Sequence, residues 1–183
     1  MAATAGLIAL VTITLFFTVG QPFGTLNDIS LLVMTLALAP IMVGFYELGG
    51  RTPIGLARVS LAGGIAGVLI YAIVQAAMIG RIVAFQYDQA ATGWFSVEAI
   101  FVIVIGAWLA GANVLAGPWL PPPLRWLGTV SGIGFIVFGV GLLLGGVAHP
   151  FTYLGGVGYQ FLFPLWAYLL GRALRRSGPQ PSS

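Results

Sequence analysis

Residues Ile133–Leu144 read IGFIVFGVGLLL, and residues Ala99–Leu109 read AIFVIVIGAWL. Neither run carries a charge, and neither alternates apolar with polar residues as a barrel strand does between lipid and lumen. In lipid every backbone N–H and C=O must find its partner inside the protein, so only helices and closed barrels are viable. Unbroken apolar runs of this length select helices. The rest of the chain agrees: 59% of its 183 residues are hydrophobic and 6% are charged, where a soluble domain carries roughly 25% charged residues. So few charges cannot cover a water-facing globule of this size. The expected fold is all-α, an integral membrane helical bundle.

Charges punctuate the chain. The long intervals free of Asp, Glu and Arg are Met1–Asn27, Ile29–Tyr46, Val59–Gly80, Ala99–Leu124 and Trp126–Gly171. A span needs about 20 apolar residues, so the first four intervals hold one helix each. The last is long enough for two, divided at the turn signal Gly145-Gly146-Val147-Ala148-His149-Pro150. The expectation is six spans: Ala3–Gly20, Ile29–Leu48, Arg58–Ile82, Phe95–Ala116, Leu124–Gly146 and Phe151–Leu174. Gln21-Pro22-Phe23-Gly24 reads as the turn after the first span. Residues 1–176 form one domain, and Ser177–Ser183 is expected to be a short disordered tail rich in Pro and Ser. The N-terminus lacks the basic segment of a signal peptide, so its apolar stretch is read as a retained span.

With six spans, Arg51, Arg58, Arg125, Arg172, Arg175 and Arg176 fall on one side of the membrane and only Arg81 on the other. Arg marks the cytoplasmic side, so both termini are expected in the cytoplasm of a cell with a plasma (inner) membrane. Tyr46, Trp94, Trp119, Trp126 and Tyr153 lie near span ends, as an interfacial aromatic belt requires. The net charge of +3 is dispersed along these ends and makes no basic patch for nucleic acid.

The 27 glycines include pairs at small-xxx-small spacing: Gly63 and Gly67, Gly106 and Ala110, Gly128 and Gly132, Gly141 and Gly145. Such faces let helices approach closely in lipid, within the chain, between copies of it or against a partner subunit. On the third span Ser60, Gly64, Gly67, Tyr71, Gln75 and Met78 share one face at three-four spacing. Pro40 and Pro164 lie in mid-span, where each removes a backbone hydrogen bond and can kink its helix. Pro53 with Pro122, and Gly63 with Gly132, hint at a duplicated hairpin, on two matches only.

Ionisable side chains inside a membrane are costly, which makes each a functional hypothesis. Glu98 lies about one turn into the fourth span from the outer side. Glu47 has Arg51 one turn on and reads as an interfacial pair of small energetic value. His149, the sole histidine, reads first as a solvated turn residue and second as an axial ligand to a haem or chlorophyll-type pigment. Gln75, Glu98, His149, Tyr153 and Gln160 all fall in the outer half of the expected bundle and make a candidate polar pocket opening outward. Asn113, Thr12, Thr14 and Thr18 can bond their own helix backbone and need no further role.

Several chemistries are excluded. The chain has no lysine, hence no retinal Schiff base; it has no cysteine and one histidine, hence no ordinary zinc constellation. No H-E-x-x-H, G-x-S-x-G or phosphate-binding loop occurs. The acidic residues are too sparse for a relay of several carboxylates. No cofactor is expected, and nothing positive speaks for an enzyme.

Gln21-Pro22-Phe23-Gly24-Thr25-Leu26-Asn27-Asp28 after the first span, Pro40 in the second and Leu124-Arg125-Trp126-Leu127-Gly128 leading into the Gly-rich fifth make the chain resemble a group of six-span bacterial membrane proteins, the family labelled domain of unknown function 4386. The resemblance would cover nearly the whole chain, on short motifs dominated by Gly and Leu. It implies an architecture and no chemistry. Two functional expectations follow from the residues: first, a non-enzymatic scaffold or accessory subunit packing against partner helices; second, a small-molecule transporter or channel with an outward-facing polar site.

Overall fold

The computed structural model describes residues 1–20, 22–48, 54–80 and 90–176. Among these the chain is helical, with short turns and no strand. Helix α1 covers Ala2–Val19, α2 Phe23–Leu36, α3 Leu38–Leu48, α4 Ile54–Ile79, α5 Trp94–Leu115, α6 Pro122–Gly145, α7 Pro150–Gly156 and α8 Phe163–Arg176. A π-helical turn, Val157–Leu162, joins α7 to α8. Four helical stretches are long and apolar enough to cross a membrane: Phe23–Leu48, Gly55–Ile79, Trp94–Leu115 and Pro122–Ala148. The shortest has 22 residues; at about 1.5 Å per residue it reaches roughly 33 Å, enough for a hydrocarbon core of about 30 Å. The chain is a membrane-embedded helical protein.

Helix boundaries depart from the sequence expectation most at α2. The turn expected at Gln21-Pro22-Phe23-Gly24 ends by Phe23, where helix already begins, and the helix runs through Asp28. The physical reason is that a charge marks where a chain leaves lipid, not where its hydrogen-bond ladder stops. The segment expected to hold Glu47 with Arg51, the Arg81 loop and the tail Ser177–Ser183 lie wholly or partly outside the described residues.

Both mid-span prolines distort their helices. Pro40 cannot donate to the Leu36 carbonyl, and the helix breaks at Ala37 between α2 and α3. Pro164 cannot donate to the Gln160 carbonyl, and the backbone there widens into the π-helical turn. Non-helical backbone at membrane depth must be buried in protein or line a cavity. Helix α1 packs on α2 ahead of the break, on the π turn and on α8. Its Gly6 admits the Pro164 ring and the Met34 sulfur directly against the backbone.

The most extensive helix contact joins α5 to α6. It depends on absent side chains. A β-carbon on Gly106 would stand 2.7 Å from the Gly132 carbonyl oxygen, and one on Gly132 would stand 2.6 Å from the Gly106 oxygen. The other side of α6 meets α7 and the π turn equally closely, with Gly134 against Gly158. Toward the α3 end, Phe45 packs edge-on against Trp119, with ring centroids 4.9 Å apart, and against Trp108 at 5.9 Å. Asn113, fully buried, donates to the Leu109 carbonyl at 2.8 Å and accepts from Trp166 Nε1 at 3.1 Å, so it ties α5 to α8 as well as to its own backbone.

Candidate functional site

The face of α4 expected from spacing turns largely inward. Gly64, Gly67, Tyr71 and Gln75 are buried, whereas Ser60 is exposed. At Gly64 the missing side chain leaves room for Trp108 and the Met42 sulfur, which brings α4 close to α5 and α3. One turn apart, Tyr71 and Gln75 then project between the helices. Glu98 follows Trp94 by one turn on α5 and meets them from the other side.

Gln75 Nε2 donates to Glu98 Oε1 at 2.8 Å and to the Tyr71 hydroxyl at 2.9 Å. The Tyr71 and Tyr159 hydroxyls lie 3.1 Å apart, and either can be the donor. Thr35 supplies a further hydroxyl partner to Tyr159. A single hydrogen-bonded chain thus runs Glu98–Gln75–Tyr71–Tyr159–Thr35 across α5, α4, the π turn and α2. Its far end touches both distorted places: Tyr159 lies within the π turn, and Thr35 lies two residues before the break at Ala37. The Asp28 carboxylate, on α2, is within electrostatic reach of Glu98.

Glu98 is 5% exposed, and among the described residues no ion pair reaches it. Burial of a carboxylate is ordinarily tolerated only with a counter-charge and full hydrogen bonding. Here neither holds. Both N–H groups of Gln75 are engaged, yet Gln75 Oε1 and Glu98 Oε2 are buried without a partner. Two acceptor oxygens in one hydrogen-bonded pair therefore lack a donor. A buried unsatisfied acceptor costs about 1–3 kcal/mol, more when charged. The defect lies between the regular helices α4 and α5, and the hydrogen-bonded chain links it to the two distorted segments.

Of the five residues expected to share a pocket, the structure joins Gln75 and Glu98. His149 sits at the N-cap of α7, where its Nδ1 accepts from the Phe151 N–H at 3.2 Å. This satisfies one of the free amides that every helix start leaves over. Tyr153 is 63% exposed on the outside of the bundle. Gln160 is half-buried and shares no hydrogen bond with the pair among the described residues. Nor does any group of three or more His, Cys, Asp or Glu side chains gather among them.

Tyr71, Tyr159 and Thr35 were not among the expected pocket residues. A signal for Tyr159 existed. Thr152, Gly155, Tyr159, Phe163, Trp166 and Leu170 recur at three-four spacing, and all are buried. That stripe selects Tyr159 over its neighbour Gln160 as the inward residue. Thr35 had no comparable signal, since a hydroxyl on an apolar helix ordinarily bonds its own backbone.

No family model, curated protein or solved structure matches the chain.

Proposed function

We propose that this protein is a small-solute transporter or channel of the bacterial plasma membrane, with six spans, both termini in the cytoplasm and a polar site in the outer half of the bundle. The supporting observation is the Glu98–Gln75 pair: among the described residues no ion pair reaches this buried carboxylate, and one oxygen of each partner lacks a donor. A purely structural helix contact gains nothing from such a defect. The competing reading, a non-enzymatic scaffold or accessory subunit, drew on small-residue faces. Several of those faces, at Gly106, Gly128, Gly132 and Gly141, are occupied by other parts of this chain.

The test is thermal unfolding of the purified chain in mild detergent against a panel of small polar and cationic solutes, with mass spectrometry of co-purifying chains. A solute at 100 times its dissociation constant adds about 2.7 kcal/mol to stability. The expected outcome is a solute that raises the melting temperature of the wild type and not of Glu98→Leu. Stoichiometric partner chains with no solute effect would instead establish the subunit reading. Orientation is checked separately. The chain has no cysteine, so single-cysteine variants give a clean background. Ala90→Cys is expected to react with an impermeant maleimide in intact cells, and Pro122→Cys and Ser182→Cys only after permeabilisation; the reverse pattern overturns the orientation.

A further inference from the structure

We propose that the Glu98–Gln75 pair binds and releases a proton, and that its occupancy sets the direction of the hydrogen-bonded chain leading to the two distorted helix segments. The inference rests on the transport reading above and names the ion coupled to it.

Charge is the first argument. The site holds one carboxylate. A single positive charge neutralises it, as a site surrounded by hydrocarbon demands. Among the described residues the groups facing Glu98 supply none: Tyr71 from α4 and Tyr159 from the π turn are hydroxyls, and Asp28 from α2 is another acid. On the α6 side, Gly139 lies against the carbonyl of Ala99, the next residue along α5.

Size is the second. Glu98 Oε2 and Gln75 Oε1 are both buried. Nothing larger than a proton reaches them unless helices move. An alkali cation would also need several oxygens arranged around it, whereas these two belong to one hydrogen-bonded pair.

Donor accounting is the third. A proton on Glu98 Oε2 turns an orphan acceptor into a donor, and Gln75 Oε1 is the orphan acceptor of the same pair. Acid and amide then match reciprocally, N–H to carboxyl one way and O–H to amide the other. Only an O–H bond forms or breaks; the proton comes from water and returns to it.

The hydroxyl chain carries the consequence. With the carboxylate bare, the Tyr71 hydroxyl, which lies within hydrogen-bond reach of Glu98, donates to it and accepts from Tyr159. With the proton bound, Tyr71 is released to donate toward Tyr159, and the order of donors reverses. The reversal ends at Tyr159 in the π turn and at Thr35 beside the break at Ala37. These are the places where the backbone has already given up regular helix.

Infrared difference spectroscopy on the full chain in liposomes, stepped in pH, tests this. The expected result is a carboxylic-acid C=O band, above the amide I region and sensitive to deuteration, that rises and falls with pH. It is absent in Glu98→Gln and retained in Asp28→Asn, and in Tyr71→Phe, where the bare carboxylate has lost a donor, it persists to higher pH, with changed tyrosine ring modes. A band unchanged in Glu98→Gln overturns the proposal. So does its removal by sodium or potassium at fixed pH, which would make this a metal-ion site. Should Glu98→Gln fail to fold, Tyr71→Phe decides, since a band indifferent to that hydroxyl overturns the coupling. Loss of the band while a solute still stabilises the wild type retires this inference alone. A titrating band with no stabilising solute retires the transport reading and leaves the protonation site.

Discussion

Gly132→Leu is expected to abolish the folded bundle. A β-carbon at this position meets backbone rather than flexible side chain: the Gly106 oxygen at 2.6 Å, the Ala110 Cα at 2.9 Å and the Ala110 amide nitrogen. Overpacking that side chains absorb costs about 1–3 kcal/mol. Here α5 and α6 must part along the most extensive contact in the molecule, so the loss is expected to exceed about 3 kcal/mol, a large fraction of the roughly 5–15 kcal/mol that holds a native protein together. Size-exclusion chromatography and thermal unfolding in detergent provide the measurement, with little or no monodisperse protein expected. Gly111→Leu is the control. Gly111 is on α5, and a β-carbon there meets nothing within 4 Å. It is expected to fold normally, with a gain of up to about 1 kcal/mol from helix propensity. Equal damage from both substitutions would refute the close-approach account.

Glu98→Gln is expected to make the protein more stable. The substitution preserves shape, removes a buried charge and supplies an N–H donor for the orphan Gln75 Oε1. Exchanging buried ionic groups for well-packed neutral ones is commonly neutral or stabilising by 1–4 kcal/mol, and repairing an unsatisfied acceptor recovers about 1–3 kcal/mol. The two effects overlap, so the expected gain is about 1–3 kcal/mol at alkaline pH, where the wild-type carboxyl stands ionised. It is read as a raised melting temperature. Glu47→Gln, at an exposed position, is expected to change stability by less than about 0.5 kcal/mol. A destabilised Glu98→Gln would mean that the carboxylate holds the bundle together, and the site would lose its main support. Retaining a residue that weakens the fold is the signature of a position kept for what it does.

The membrane-embedded, helical character was legible in Ile133–Leu144 and Ala99–Leu109, because a long uncharged run has one stable form in lipid. Helix ends were less legible. Asp28 looked like a boundary, yet α2 passes through it, since the ladder of backbone hydrogen bonds is indifferent to one charge near the interface. Pro40 and Pro164 announced distortions but not their forms, one a break and the other a π turn; surrounding packing decides between them. At the candidate site, Gln75 and Glu98 stood out as polar residues on apolar helices. That they meet follows from how closely α4 approaches α5, a distance set by Gly64 and Gly67 acting together with Trp108 and Val104 on the facing helix. His149 and Tyr153 stood out for the same reason of chemical type, but position decided otherwise, at a helix cap and on an exposed face.

The seat of α1 against α8 has a consequence in time. Helix α1 leaves the ribosome well before its partners across this seam, the π turn and α8. At about 5–20 residues per second, on the order of ten seconds or more separates them. Through that interval α1 can settle on α2, its other neighbour, with the Met34 sulfur against Gly6 and the place of the Pro164 ring still open. The Pro164 ring takes its place against Gly6 only after that interval. Closure of this seam is a lateral docking in the bilayer between helices made far apart in time.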